Sequence, residues 1–142
     1  MANNMAVQAQ LTQGSSFTIQ TGSGHTIVLD SPPDKGGVNA GPRPMEMLLT
    51  ALAGCAGIGI IGILRKMHQD VTNYEVRVNG TRAETNPQVF THITVEHIFT
   101  GHNLQAASIQ RAIDLDRENY CGANAMLSKA ANVEHTFQII EA

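Results

Sequence analysis

Two cysteines, Cys55 and Cys121, are the side chains of this 142-residue sequence best suited to chemistry. Cys55 lies inside an apolar stretch without charges, residues 47–64, and Cys121 follows a polar segment much further along the chain. A thiolate can attack a peroxide and become a sulfenic acid, with which a second thiol condenses to form a disulfide. The pair therefore suggests a peroxide-reducing site. The alternative is that both thiols are inert core residues, since free cysteine is commonly buried.

The overall composition limits the possible functions. The length fits one domain, which we expect to span residues 1–142. Only 15% of the residues are charged, and the net charge is −3 without a basic run, a balance that does not favour binding to nucleic acid. Few charges beside a long apolar stretch predict that part of the surface is covered in an oligomer.

The first ten residues lack the charged and apolar regions of a secretory signal, so we expect a cytoplasmic protein. Because thiols stay reduced in that compartment, a cysteine pair there is more often catalytic or metal-binding than structural. A metal site is not predicted, because the six histidines do not show the spacing of metal ligands (His25, His68, His92, His97, His102 and His135).

The stretch 47–64 allows two further interpretations. Its length approaches that of a membrane span, but its four glycines and the amphipathic strands on either side favour a helix in a shared core. We therefore expect no membrane partner. Gly57, Gly59 and Gly62 also form a GxGxxG pattern, which binds a dinucleotide when a strand precedes it and a helix follows. Dinucleotide binding stays a minor alternative, because no second βαβ unit follows.

Periodicity predicts the strands. Apolar and polar residues alternate over 17–29 and again over 74–99, and each range contains a turn signal, which is typical of a β-hairpin. A last strand is predicted over 133–139. Between the first hairpin and the apolar stretch, residues 31–43 are rich in proline and glycine and predict a long loop. Loops of this length usually have a task, such as covering a site or wrapping a partner.

The helices carry their own start and stop signals. Pro44 suits the first position of a helix, and cationic residues close to residue 68 suit its end, so we predict one long helix over 44–68. Residues 104–120 and 121–131 predict two shorter helical pieces, with Ile109 and Ile113 on a buried face. The order βββ–α–ββ–αα–β predicts an α+β fold with antiparallel sheet.

Four stretches together resemble the OsmC/Ohr family, the osmotically inducible and organic hydroperoxide resistance proteins, and are closest to its YhfA-like branch. They cover most of the chain beyond residue 30 and occur in the family's order. The stretches are GPRPMEMLLTALAGC at 41–55, ILRKMHQDVTNYEV at 63–76, QVFTHITVEHIFTG at 88–101 and AIDLDRENYCGANAMLSKA at 112–130.

The resemblance implies an OsmC-like fold in an intertwined homodimer, with antiparallel sheets packed around a long central helix that carries a cysteine. It also implies thiol-dependent reduction of organic hydroperoxides, in which Cys55 attacks the peroxide and Cys121 resolves the sulfenic acid. No metal or organic cofactor is implied, and a dithiol reductant of thiol or lipoyl type would close the cycle. Leu48, Ala51 and Leu52 near Cys55 favour substrates with an alkyl group.

The resemblance also implies groups that activate the thiol. An unperturbed cysteine has a pKa of about 8.5, so a reactive thiolate needs a nearby cation. In the peroxidase branches this cation is an arginine that a glutamate orients. Arg43 is the first candidate for it and Arg117 the second, with Glu46 as the carboxylate. The family's usual glutamate position holds Met45 here, one residue away, which is about 100° of helix rotation.

A second hypothesis follows from this departure. A member of the same fold without peroxidase activity would bind a small apolar or electrophilic ligand at the dimer interface. The altered glutamate position and the lack of any arginine before Arg43 favour this alternative. A reactive Cys55 with Cys121 within reach favours the peroxidase.

Overall fold

In a computed structural model that describes residues 3–142, strands and helices follow one another in the predicted order βββ–α–ββ–αα–β. The α+β class is therefore confirmed. The chain divides between Leu48 and Leu49 into two units, each with its own three-stranded sheet. Both cysteines belong to the second unit.

The first unit contains β1 (Val7–Gln13), β2 (Ser16–Thr21) and β3 (Thr26–Leu29) in an antiparallel sheet of that order. The predicted hairpin over 17–29 is the β2–β3 pair. Gly14 has a positive φ of 56° in the tight turn between β1 and β2, a conformation that glycine adopts without strain.

The buried carboxylate of Asp30 organises the loop that follows β3. Its Oδ1 accepts hydrogen bonds from the Ser31 N–H at 2.7 Å and the Ser15 hydroxyl at 3.0 Å. Its Oδ2 accepts from the backbone N–H groups of Val38 and Ala40, both at 3.0 Å. Because these donors favour the ionised form, they hold the pKa of Asp30 well below its usual value. The proline- and glycine-rich loop is therefore fixed by one charge.

Helix α1 (Pro44–Lys66) is the long apolar helix that the sequence predicts. Its fully buried residues recur every fourth position, which places them on one face of the helix. By length and mean hydropathy, 2.3 over its most apolar window, α1 could also cross a membrane, a test that the core helix of a soluble protein passes as well. The buried residues are Leu52, Ala56, Ile60 and Leu64.

The three glycines of the GxGxxG pattern lie in the middle of α1. A dinucleotide loop needs a turn between a strand and the first residue of a helix, where free N–H groups can meet phosphate. Inside a helix those N–H groups are bonded to carbonyl groups of the preceding turn. The dinucleotide alternative is therefore wrong.

The second unit contains β4 (Asp70–Arg82), β5 (Phe90–His102) and β6 (Asn132–Glu141), in that order across the sheet. β4 and β5 form the predicted antiparallel hairpin, but β6 pairs with β5 in parallel, where antiparallel sheet was expected. The reason is that the helical segment between β5 and β6 carries the chain back across the sheet, and such a crossover connects parallel strands.

The crossover consists of α2 (Ala106–Leu115), a π-helical turn over Asp116–Tyr120 and α3 (Gly122–Leu127). Ile109 and Ile113 of α2 are buried, as predicted. They belong to one apolar core with the buried face of β5, which contributes Ile93, Val95 and Phe99. This core holds the crossover in place beside α1.

Candidate active site

The two cysteines meet in the second unit. Both are free thiols: Cys55 in α1 is partly exposed, and Cys121 is 2% exposed. Their side chains are close enough to interact, because the neighbouring Cys55 contributes to a raised pKa of Cys121, after the larger effect of burial. A partly exposed thiol therefore neighbours a buried one, as a two-cysteine redox site requires.

A break in the helical crossover points Cys121 into the core. Cys121 has an extended backbone conformation (φ −82°, ψ 96°) between the π-turn and α3. Its N–H donates to the Asp116 carbonyl at 2.7 Å, and its Sγ accepts from the Asn124 N–H at 3.4 Å. The Asn124 hydrogen bond favours the thiolate, but burial outweighs it and raises the pKa of Cys121 well above its ordinary value. Cys121 is therefore a protonated thiol at neutral pH.

A buried carboxylate beside the thiols was missed by the sequence prediction. Asp116 is 2% exposed, and its carboxylate packs against Gly59, four residues after Cys55 and so on the same face of α1. A Cβ atom at Gly59 would collide with Oδ1 of Asp116. Burial raises the pKa of Asp116 to about 6, and the charge of its ionised form raises the pKa of Cys121 further.

Asp116, rather than Arg117, continues the buried face of α2. The buried residues Ile109, Ala112 and Ile113 are followed by Asp116 at the regular helical spacing i, i+3, i+4, i+7. Arg117 lies one residue further on, about 100° around the helix. The Arg117 side chain is 40% exposed and lies 3.6 Å from Asp114 and 3.9 Å from Glu118. Arg117 thus pairs with surface carboxylates.

Two histidines, unremarkable in the sequence, lie in a buried row of hydrogen bonds. Tyr74 Oη is 2.6 Å from His97 Nδ1, His97 Nε2 is 2.9 Å from His135 Nδ1, and His135 Nε2 is 2.8 Å from Asn124 Oδ1. Burial is the largest cause that lowers the pKa of His97 to about 3 and that of His135 to about 4. Both imidazoles are therefore neutral at physiological pH.

The predicted activating residues Arg43 and Glu46 lie in the first unit. Glu46 Oε1 accepts a hydrogen bond from the Arg43 N–H at 2.9 Å, and the Arg43 guanidinium donates to the Gly41 carbonyl at 3.0 Å. Glu46 therefore caps the start of α1, where a carboxylate also suits the helix dipole. An action of either residue on Cys55 stays a prediction.

Across residues 3–142, no three side chains of histidine, cysteine, aspartate or glutamate converge as a metal site would need. The chemistry that the described site itself offers is that of its two thiols, the Asp116 carboxylate and the neutral row of hydrogen bonds.

Comparison of the sequence and the structure with known proteins identifies relatives of this chain. Residues 35–136 match the model of the OsmC-like protein family. Protein YhfA of Escherichia coli (strain K12) is 38% identical over 141 residues, which is 97% of this chain and all of YhfA. An OsmC-like protein from Mycoplasma pneumoniae superposes with a TM-score of 0.84 at 19% identity, over 99% of both chains.

A more distant neighbour is the organic hydroperoxide resistance protein OhrB of Bacillus subtilis. It superposes with a TM-score of 0.63 at 16% identity, over 96% of this chain and 98% of that one. At such identities the likeness of the two solved structures shows a shared fold.

The close approach of Asp116 to Gly59 predicts opposite effects for two glycine substitutions in one helix. Alanine usually stabilises a helix by up to about 1 kcal/mol relative to glycine. At Gly59 the new methyl group meets the Asp116 carboxylate, so Gly59→Ala should instead destabilise the protein by about 1–3 kcal/mol. Gly62→Ala is the control, because nothing lies within 4 Å of its added Cβ. Urea unfolding measures both, and equal signs would contradict the packing described.

The raised pKa of Asp116 predicts how stability depends on pH. Its folded pKa of about 6 exceeds the unfolded value of 3.8, so the folded state binds the proton more tightly. Its contribution to stability is full below about pH 4 and is lost as the pH rises through 6. Asp116→Asn removes this loss. The free energy of unfolding of the variant, relative to that of wild type, should therefore rise by about 1–3 kcal/mol from pH 4 to pH 8.

Urea unfolding at pH 4, 6 and 8 tests the Asp116 prediction. Asp114→Asn is the matched control, since that side chain is 40% exposed on the same turn. A difference between Asp116→Asn and wild type that stays constant with pH would contradict the prediction, because it would mean that folding leaves the pKa of Asp116 unchanged.

Proposed function

Because the chain belongs to the OsmC-like protein family, we propose that it reduces organic hydroperoxides with Cys55 and Cys121 as its redox pair. The observation that carries the proposal is that the two thiols, 66 positions apart in sequence, are brought close enough for Cys55 to affect the pKa of Cys121. The shared fold with organic hydroperoxide resistance proteins supports the choice of substrate. We expect this reaction to take place in the cytoplasm, where the resting thiols are kept reduced.

The proposed cycle has two steps within the protein. The Cys55 thiolate attacks the terminal oxygen of the hydroperoxide, the O–O bond breaks, and the departing alkoxide takes a proton to leave as an alcohol. Cys121 then attacks the sulfur of the Cys55 sulfenic acid. The S–S bond forms, the S–O bond breaks, and the hydroxide leaves as water with the proton of Cys121. A dithiol reductant returns two electrons and two protons.

Exposure and acidity support this division of roles. Cys55 is partly exposed and can meet a substrate, whereas Cys121 is buried. A protonated Cys121 is a weak nucleophile toward a free peroxide. Against a sulfenic acid in contact with it, however, the second step is intramolecular and gains from proximity. The buried thiol is therefore protected until its partner is oxidised.

For activation of Cys55 we propose Arg43 as the cation and Glu46 as the carboxylate that holds the Arg43 backbone. The 2.9 Å hydrogen bond from Arg43 to Glu46 supports the second half of this assignment. Asp116 does not fit the role of activator, because a negative charge disfavours a thiolate beside it.

Steady-state assays with thiol variants test the proposal. Wild type should consume cumene hydroperoxide faster than hydrogen peroxide, because an apolar pocket gains about 0.8 kcal/mol for each buried CH₂ of the substrate. Cys55→Ser should lose activity at least about a hundredfold. Cys121→Ser should still be oxidised once and yield a Cys55 sulfenic acid that dimedone traps. Full activity in Cys55→Ser, or faster consumption of hydrogen peroxide, would contradict the proposal.

A cavity of about 460 Å³ favours the second candidate function, binding of a small apolar or electrophilic ligand. It lies between the second half of α1 and the π-turn, with Asp116 in its wall. Such a protein would be stabilised by the ligand without losing its thiols. The remaining lining is mostly apolar and consists of Ile58, Gly59, Gly62, Ile63, Lys66, Leu115 and Tyr120.

We also propose that a second copy of the chain covers the exposed apolar face of the second unit. Ile58 of α1 is 77% exposed, Tyr120 is 69% exposed and Met126 is 72% exposed. Gly54 adds a flat position on the same helix, where a second helix can approach closely. A monomer would leave these side chains in water, whereas a homodimer would bury them.

The mass in solution tests the homodimer. The chain weighs 15.2 kDa, so light scattering should give about twice that value for wild type. Ile58→Asp should shift the protein toward the monomer, because it places a charge in the proposed interface. Val89→Asp replaces an apolar side chain that is 45% exposed in the connection between β4 and β5, away in sequence from α1 and the crossover, and should leave the mass unchanged. A monomeric wild type would overturn the assignment.

A further inference from the structure

A row of four side chains leads from the edge of the second sheet to the helix beside Cys121. Tyr74 lies on β4, His97 on β5, His135 on β6 and Asn124 on α3. Three hydrogen bonds of 2.6, 2.9 and 2.8 Å join them in that order. His97 is fully buried, and the four groups therefore depend on one another for hydrogen bonding.

The acceptor at one end fixes the direction of every bond in the row. Asn124 Oδ1 can only accept, so His135 Nε2 carries a proton and donates it. Neutral His135 then accepts at Nδ1 from the Nε2–H of His97. Neutral His97 in turn accepts at Nδ1 from the Tyr74 hydroxyl. Each bond holds one proton, and no donor or acceptor of the two imidazoles is left over.

The row reaches Cys121 through the backbone of Asn124. The Asn124 side chain accepts from His135, while its N–H donates to Sγ of Cys121 at 3.4 Å. Asn124 is only 5% exposed and lies in the first turn of a helix of six residues. So short a helix has little stability of its own, and its position depends on tertiary contacts.

We propose that Tyr74, His97, His135 and Asn124 form a positioning relay that holds the first turn of α3 and thereby aims the Cys121 thiol at Cys55. The proposal rests on the resolving role of Cys121 and deepens it. The four residues act through Cys121 and touch no substrate.

The end of the row at Asn124 indicates that the row positions Cys121 and does not deliver a proton to it. A carbonyl oxygen of Asn124 cannot pass a proton on to Cys121. Neither imidazole holds an excess proton at neutral pH, because burial disfavours the charged forms. What the row transmits is the location of the Asn124 backbone, and a displacement of about 1 Å at a reacting group can slow a reaction by about a hundredfold.

Rapid mixing with cumene hydroperoxide separates the two steps of the cycle. His135→Leu removes both hydrogen bonds of His135 and should slow disulfide formation at least about tenfold, with sulfenic acid formation within about twofold of wild type. His135→Gln keeps a donor for Asn124 and an acceptor for His97, so it should recover most of the rate. His92→Leu, an exposed histidine of β5, is the control. Equal slowing of both steps in His135→Leu, or none, would overturn the proposal.

A second measurement does not require peroxidase activity. In mixtures of oxidised and reduced dithiothreitol, the cysteine pair gives up two electrons and two protons to the oxidised reagent. His135→Leu should lower the equilibrium constant for the Cys55–Cys121 disulfide about tenfold, or about 30 mV in potential. Tyr74→Phe, which removes only the outermost donor, should give a smaller shift of the same sign and serves if His135→Leu does not fold.

The outcomes separate this inference from the proposed function. If hydroperoxide leaves the wild-type thiols intact but the dithiothreitol equilibrium shifts as expected, the peroxidase is wrong and the relay stands. If the equilibrium constants of wild type, His135→Leu and Tyr74→Phe agree, the relay is wrong whatever the peroxidase assay gives. A wild-type pair that forms no disulfide with either oxidant would overturn both.

Discussion

The proximity of the Cys55 and Cys121 thiols is the constraint on which the rest of the site depends, and it needs two backbone features at once. The four buried residues of α1, spaced by four, turn that helix so that Cys55 borders the crossover. The crossover must also stop being helical at Cys121, which its extended conformation between the π-turn and α3 provides. If α1 were shifted by one residue, the Cys55 side chain would turn by about 100° and the thiols would separate.

The buried Asp116 works against the stability of the same region. Its carboxylate lies against Gly59, at a position where only glycine leaves room. Burial makes its charge costly, and that charge disfavours the thiolate of Cys121. Buried charged groups with shifted pKa values are concentrated at functional sites. In this protein the buried Asp116 lies against Gly59, about one helical turn from Cys55.

Local signals predict much of the fold and little of the site. Pro44 and the cationic end of α1 define the long helix, and alternation defines the hairpins, because these patterns depend on neighbours in sequence. The parallel pairing of β6 depends on where the crossover returns the chain, which no local pattern records. Helical spacing likewise leaves both Asp116 and Arg117 as candidates for the buried face of α2, and the packing against Gly59 that selects Asp116 appears only in the folded chain. His97 and His135 meet across two strands, 38 positions apart, so their pairing appears only in the folded chain.

The central claim is that Cys55 and Cys121 are one redox unit that responds to hydroperoxide. The most direct test is the intact mass and free-thiol count of the reduced wild-type protein after one equivalent of cumene hydroperoxide. The account predicts the loss of two hydrogens, no free thiol and a single Cys55–Cys121 cross-link in the peptide map. Two intact thiols after minutes of exposure would contradict it and leave ligand binding as the function to pursue.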